Sequence, residues 1–147
     1  MDTTDKLLNS ELRRDEGVKY KPYKDTVGIW TVGVGHNLKA KPIDKKGWTY
    51  PLTDAQVDEL LSEDLSEVFA GLDKKLPWWR KLSYVRQRVL ANLAFNLGID
   101  GLLKFKNTLA YVQSGDYKNA AQGMLASKWA TQVKGRATRL AEMMVKG

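Results

Sequence analysis

Cysteine is absent from the 147 residues of this chain, and histidine occurs only once. The absence of cysteine excludes disulfide bonds, thiolate nucleophiles and thiolate metal sites. A single histidine without cysteine partners is poor support for a zinc site. We therefore expect neither a metal nor another cofactor, and the composition is compatible with synthesis in a reducing cytoplasm.

Long apolar runs are missing as well. No run approaches the ~20 residues that a membrane-spanning helix needs. Residues 1–17 are mostly polar and charged and contain no apolar run longer than Leu7-Leu8, which is unlike a secretory signal peptide. No P-loop, dinucleotide fingerprint, serine elbow or zinc helix motif occurs. The length and a hydrophobic content of 43% fit one globular domain.

Negative charge is scarce in the middle of the chain. Residues 74–106 carry eight lysines and arginines against one acidic residue, Asp100, and the whole chain has a net charge of +7. Such a surface can simply keep a protein in solution, or it can attract a polyanion. Peptidoglycan with its teichoic acids, anionic lipid and nucleic acid are all candidates, and charge does not choose among them.

Two carboxylates and a threonine stand out between residues 12 and 38. Glu16 ends a helical pattern at Gly17, because glycine tolerates the left-handed turn after a helix. Asp25 opens a turn, and Thr31 lies on a β-branched, aromatic strand. The spacings of nine and six residues allow these three side chains to converge on one small site.

Such a site suits glycoside hydrolysis. One carboxyl must stay protonated near neutral pH so that it can donate a proton to the leaving sugar oxygen, while the other must be ionised to hold a water. Glu16 is the candidate acid and Asp25 the candidate base. The Thr31 hydroxyl would share the water with Asp25. From the residues alone, a helix cap and a solvated turn remain the more common explanation.

The segment EGVKYKPYKDTVGIWTVGVGH, residues 16–36, resembles the signature of T-even phage lysozymes. The resemblance implies inverting cleavage of the β-1,4 bond between N-acetylmuramic acid and N-acetylglucosamine. It makes Glu16 the acid and gives Asp25 and Thr31 the task of positioning water. It also implies that Gly35 and Asn37 contact substrate.

The resemblance continues toward the end of the chain. An N-x-x-F-N segment implies that Phe95 and Asn96 touch substrate, although core packing explains Phe95 equally well. An F-x-N-T segment adds the Thr108 hydroxyl, and the closing G-R-A-T-R segment puts Arg136 near Glu16. A separate, structural expectation is an ion pair between His36 and Asp64, with the pKa of the histidine raised.

The predicted fold is α+β and mainly helical, with the two lobes of a lysozyme in a single domain. A small β lobe covers residues 15–53, and a helix over 54–73 begins at a capping box, Thr53 to Gln56. The helical lobe comprises the N-terminal helix, residues 5–15, and residues 74–147. Within it we predict helices over 83–97, 101–105, 108–113 after an Asn107 cap, 117–126 after an Asp116 cap, and 135–146. The Trp78-Trp79 pair is expected to fill a core rather than stack on sugar.

These observations predict a monomeric phage endolysin that hydrolyses bacterial peptidoglycan, with no nucleic-acid partner. It would act on the wall from the host cytoplasm, after release through a holin-type pore. Two alternatives stay open: a lytic transglycosylase, which needs only the acid, and a non-catalytic cationic module that binds wall or membrane.

Overall fold

The computed structural model of this chain describes residues 3–147, with side chains from residue 5 onward. Over that range the chain forms seven α-helices, two 3-10 helices and one three-stranded antiparallel sheet. This composition confirms the predicted α+β, mainly helical fold class. Contacts between Cα atoms separate two compact units, the first ending at Glu67 and the second beginning at Val68.

The first unit contains the N-terminal helix and the sheet. Its elements are α1 (Thr3–Glu16), β1 (Lys19–Lys24), β2 (Trp30–Gly33), β3 (His36–Asn37), a 3-10 helix (Asp44–Lys46) and the first part of α2 (Asp54–Lys75). The boundary between the units falls inside α2. The lobe limits predicted from the sequence stay a prediction.

The sheet is a meander in the order β1-β2-β3. Tyr23 pairs with Thr31 and Lys24 pairs with Trp30 across the first two strands. The turn between them is the predicted one: the Gly28 N–H donates to the Asp25 carbonyl at 3.0 Å. Gly28 has φ +84°, a conformation that glycine adopts without strain.

Helix α2 begins at the predicted capping box. The Thr53 hydroxyl accepts from the Gln56 N–H at 3.1 Å, and the Gln56 side chain accepts from the Thr53 N–H at 2.9 Å. Leu52 before the cap and Val57 after it are both buried, as a hydrophobic staple requires. These local signals fix where α2 starts.

The second unit is helical throughout its described elements. They are the end of α2, a 3-10 helix (Trp79–Lys81), α3 (Tyr84–Leu103), α4 (Lys106–Ser114), α5 (Tyr117–Leu125), α6 (Lys128–Val133) and α7 (Gly135–Lys146). Gly98, with φ +74°, breaks α3 where a helix end was predicted. The helical segment after Gly98 reaches Leu103 and does not extend to Phe105 as expected.

One predicted cap is wrong. Asn107 lies inside α4, and Phe105 occupies the cap position without a side-chain hydrogen bond. The Leu109 N–H donates to the Phe105 carbonyl at 2.9 Å, so the helix starts earlier than the Asn107 signal indicated. By contrast, the predicted Asp116 cap of α5 is confirmed, because its side chain accepts from the Asn119 N–H.

Trp79 belongs to the core of the second unit. Its ring stacks on Phe69 with centroids 5.9 Å apart, and its indole N–H donates to Asp73 at 2.7 Å. The side chain is almost fully buried, which supports the core interpretation over sugar stacking. Among the helices described here, none is both long and apolar enough to span a bilayer.

Candidate active site

Glu16 is the last residue of α1, and Gly35 lies directly against its carboxyl group. The chain leaves the helix through Gly17, which has φ +76°. A Cβ atom added at Gly35 would lie 2.9 Å from Glu16 Oε1 and 3.2 Å from its Cδ. The position therefore accepts no side chain while Glu16 keeps its place. Gly35 was predicted to contact substrate, and the structure shows it packed on the candidate acid.

Asp25 is held by the turn that it opens. Its Oδ1 accepts two backbone hydrogen bonds, from the Val27 N–H at 3.0 Å and from the Ile29 N–H at 2.8 Å. Within the described part of the chain, Oδ2 takes part in no hydrogen bond. One carboxylate oxygen is thus anchored, and the other can accept a hydrogen bond from a water.

Thr31 is tied to the same turn through the backbone of Ile29. The Thr31 hydroxyl donates to the Ile29 carbonyl at 2.9 Å, and that carbonyl also accepts the Asp25 N–H at 2.9 Å. Thr31 is only 5% exposed. Its oxygen keeps the capacity to accept a hydrogen bond, so Asp25 and Thr31 can share a water.

Sequence reasoning missed the part played by Ile29, because a main-chain group leaves no side-chain signature. The available signal was the D-T-V-G turn: an aspartate side chain commonly bonds to the backbone two residues further on.

Tyr23, on β1, is subject to the electrostatic influence of both candidate catalytic carboxyl groups. Burial raises the pKa of its phenol above the usual 10.0, and the negative charges of Glu16 and Asp25 raise the pKa further. The convergence of Glu16 and Asp25 on one small site stays a prediction. Tyr23 was not among the site residues expected from the sequence.

The predicted pair between His36 and Asp64 is confirmed. His36 Nδ1 lies 2.8 Å from Asp64 Oδ2, and His36 Nε2 lies 2.9 Å from the Lys41 carbonyl oxygen. Both ring nitrogens face acceptors, so the arrangement suits an imidazolium, which donates from both. The Lys41 ammonium adds an ion pair to Asp64 at 3.1 Å and another to Glu67. The sequence did not predict this part of the network.

The His36–Asp64 pair makes stability depend on pH. Burial by itself would lower the pKa of His36, but the hydrogen bond and the charge of Asp64 outweigh burial and raise the pKa above 6.5. A raised folded-state pKa stabilises the fold below the unfolded pKa, and the contribution is lost as pH rises through the folded pKa. We expect His36→Asn to lower the free energy of unfolding by roughly 3 kcal/mol at pH 5.5, and by less at pH 8.5.

Urea unfolding of wild type and His36→Asn at several pH values measures this effect. Asp64→Asn and the double variant complete a thermodynamic cycle. The coupling free energy should be largest at pH 5.5 and should shrink as pH rises. An equal loss for His36→Asn at every pH from 5 to 8.5 would show that the charge of the histidine does not contribute.

The other predicted site residues make structural contacts, each within its own unit. Asn37 accepts the N–H groups of Lys39 and Ala40, both at 2.9 Å, and so shapes the turn after β3. Asn96 accepts the Trp129 indole N–H at 2.7 Å, and the Arg136 guanidinium donates to Asn92 at 2.9 Å.

Two further predicted residues are partly or fully enclosed in the second unit. Thr108 is 7% exposed, and its Oγ1 would lie 2.5 Å from a Cβ added at Gly123. Phe95 is half-buried. The substrate contacts of these residues, and the proximity of Arg136 to Glu16, stay predictions.

Comparison with known proteins places the chain in a family. Residues 13–143 match the phage lysozyme family. The pre-baseplate central spike protein Gp5 of Enterobacteria phage T4 is 30% identical over 92% of this chain. A probable T4-type lysozyme of Dictyostelium discoideum is 26% identical over 95%, and the SAR-endolysin of Enterobacteria phage P21 is 33% identical over 84%. The chain spans 27% of the length of the T4 protein, 94% of the Dictyostelium protein and 72% of the P21 protein.

A mainly helical α+β fold with one small antiparallel sheet fits the lysozyme class of glycoside hydrolases. The match of residues 13–143 to the phage lysozyme family identifies the family within that class. The chain belongs to the phage lysozyme family.

Proposed function

We propose that this lysozyme hydrolyses the β-1,4 bond between N-acetylmuramic acid and N-acetylglucosamine in bacterial peptidoglycan, with inversion at the anomeric carbon. The observation that carries the proposal is the contrast between the two carboxyl groups. Glu16 packs on Gly35 at a helix end, whereas Asp25 is anchored through Oδ1 and leaves Oδ2 for a water.

In this reaction Glu16 gives its proton to the glycosidic oxygen as the bond to the anomeric carbon breaks. Positive charge develops on the sugar ring at that moment. Asp25 Oδ2 accepts a proton from the water that attacks the opposite face of the ring, and the Thr31 oxygen helps to hold that water. The backbone of Ile29 fixes both groups without mobile side chains, so little reorganisation is needed in the transition state.

A lytic transglycosylase would use the muramyl 6-hydroxyl in place of water. Such an enzyme has no need for Asp25 and Thr31, and the shared backbone anchor of these two residues therefore favours hydrolysis. Mass spectrometry of fragments from purified peptidoglycan distinguishes the two reactions. We expect reducing muramic acid ends, and the first-formed ends should be α anomers. Anhydromuramic acid ends would instead establish the transglycosylase.

The biological setting that we propose is lysis of a bacterial host, with the domain acting as a monomer. The P21 relative is named an endolysin and supports this setting, whereas the T4 relative is named a baseplate spike protein. Access from the host cytoplasm to the wall would need a holin-type pore. Lysis of cells that express the chain with and without a holin tests that partner: clearing only with the holin supports it, and clearing without one contradicts it.

A further inference from the structure

The Tyr23 hydroxyl is a polar group with no assigned task. Tyr23 lies on β1 and is half-buried. Within residues 3–147 its hydroxyl makes no hydrogen bond to the protein. Tyr20, on the same strand, is exposed, and its hydroxyl donates to Asp54 at 2.6 Å.

The strand register places Tyr23 on the same sheet face as Thr31. The two residues are directly opposite across β1 and β2, and opposed residues of an antiparallel pair project from one face. The next pair, Lys24 and Trp30, occupies the other face, where the lysine ammonium lies 5.3 Å from the centre of the indole ring. Tyr23 therefore shares the face of the Thr31 hydroxyl.

The Tyr23 hydroxyl is protonated near neutral pH, as an ordinary phenol is. Burial, Glu16 and Asp25 all raise the pKa of the phenol. A protonated phenol can donate one hydrogen bond. Two geometric features coincide at this hydroxyl: it has no hydrogen-bond partner in the described part of the chain, and it lies on the sheet face of Thr31. The hydroxyl of this half-buried side chain can donate to water, and a ligand that enters the site can replace that water as the acceptor.

We propose that Tyr23 is a substrate-binding residue whose hydroxyl donates a hydrogen bond to an oxygen of the sugar that reacts between Glu16 and Asp25. This inference rests on the proposed lysozyme reaction. The hydrogen bond from Tyr23 to the sugar forms when the substrate binds and persists in the transition state. Its loss should weaken binding of a saccharide and lower kcat/KM by similar factors.

The experiment compares Tyr23→Phe, which removes only the hydroxyl, with Tyr23→Leu, which also removes the ring. The matched control is Tyr84→Phe, because Tyr84 is exposed and lies in the second unit. Activity is measured as kcat and KM on purified, solubilised peptidoglycan fragments. Binding is measured by titrating an N-acetylglucosamine tetrasaccharide into proteins that also carry Glu16→Gln.

We expect Tyr23→Phe to lower kcat/KM about tenfold and to weaken tetrasaccharide binding by a similar factor. The melting temperature of Tyr23→Phe should match that of the parent protein. Tyr84→Phe should match the parent in kcat/KM and in tetrasaccharide binding. If Tyr23→Phe stays within twofold of the parent in both measurements, the inference is wrong. A loss confined to Tyr23→Leu would likewise show that only the ring matters, through packing.

Failure of this inference is distinguishable from failure of the proposed function. If Glu16→Gln retains hydrolysis, the lysozyme mechanism fails and Tyr23 loses its role with it. If Glu16→Gln is inactive while Tyr23→Phe is fully active and binds normally, only the role of Tyr23 is refuted.

Discussion

Glu16→Gln is expected to lower the hydrolysis of purified peptidoglycan by about 10³-fold, within the range that general acid catalysis contributes. Glutamine has the shape of glutamic acid and can occupy the same place against Gly35, but it has no proton to give to the leaving sugar oxygen. Binding should persist, so the loss should appear in kcat and not in KM. Release of new reducing ends is the measurement.

The matched control for this variant is Glu142→Gln, because Glu142 is exposed on α7. It makes the same change of residue type at an exposed position and should keep wild-type activity. A Glu16→Gln protein with more than a tenth of wild-type hydrolysis would contradict the role of Glu16. Clearing of permeabilised cells by Glu16→Gln without new reducing ends would support the alternative of a cationic, non-enzymatic module.

Gly35→Ala is expected to reduce activity about 100-fold, because small displacements of a catalytic group have effects of this size. The new methyl group would start 2.9 Å from Glu16 Oε1, so the carboxyl group must move. The backbone at Gly35, with φ +64°, also becomes strained. That strain should cost about 1–2 kcal/mol of stability.

Gly47→Ala separates these two effects. Gly47 has φ +69°, close to that of Gly35, but a Cβ added there would have nothing within 4 Å. Both variants should therefore lose similar stability in urea unfolding, while only Gly35→Ala loses activity. Equal activity losses for the two variants would mean that strain, and not displacement of Glu16, is responsible.

Local chemistry explains which features the sequence predicted. The turn at Asp25, the glycine after Glu16, the Thr53 capping box and the break at Gly98 each depend on a few neighbouring residues. Such signals need no distant partner. The cap assigned to Asn107 was a local signal of the same kind, but it is wrong: the Phe105 carbonyl already accepts the first helical bond, so the helix starts before the asparagine.

The features that the sequence did not reveal depend on main-chain groups, which any residue type can supply, or on partners far away in the sequence. Ile29 acts through its main chain, which any residue could supply. Lys41 joins the pair of His36 and Asp64 across 23 positions of sequence. The role proposed for Tyr23 depends on the strand register, which places it opposite Thr31. Family resemblance named the site residues but did not supply these contacts.

The central claim is that Asp25 delivers a water to the face of the sugar opposite the proton of Glu16. The most direct test is proton NMR of the anomeric centre during rapid hydrolysis of a soluble peptidoglycan oligosaccharide. Attack from the opposite face converts the β linkage to an α reducing end, so α anomers should appear first and then mutarotate. If β anomers appear first, the bond is broken with retention, and Asp25 does not act as the base for an inverting attack.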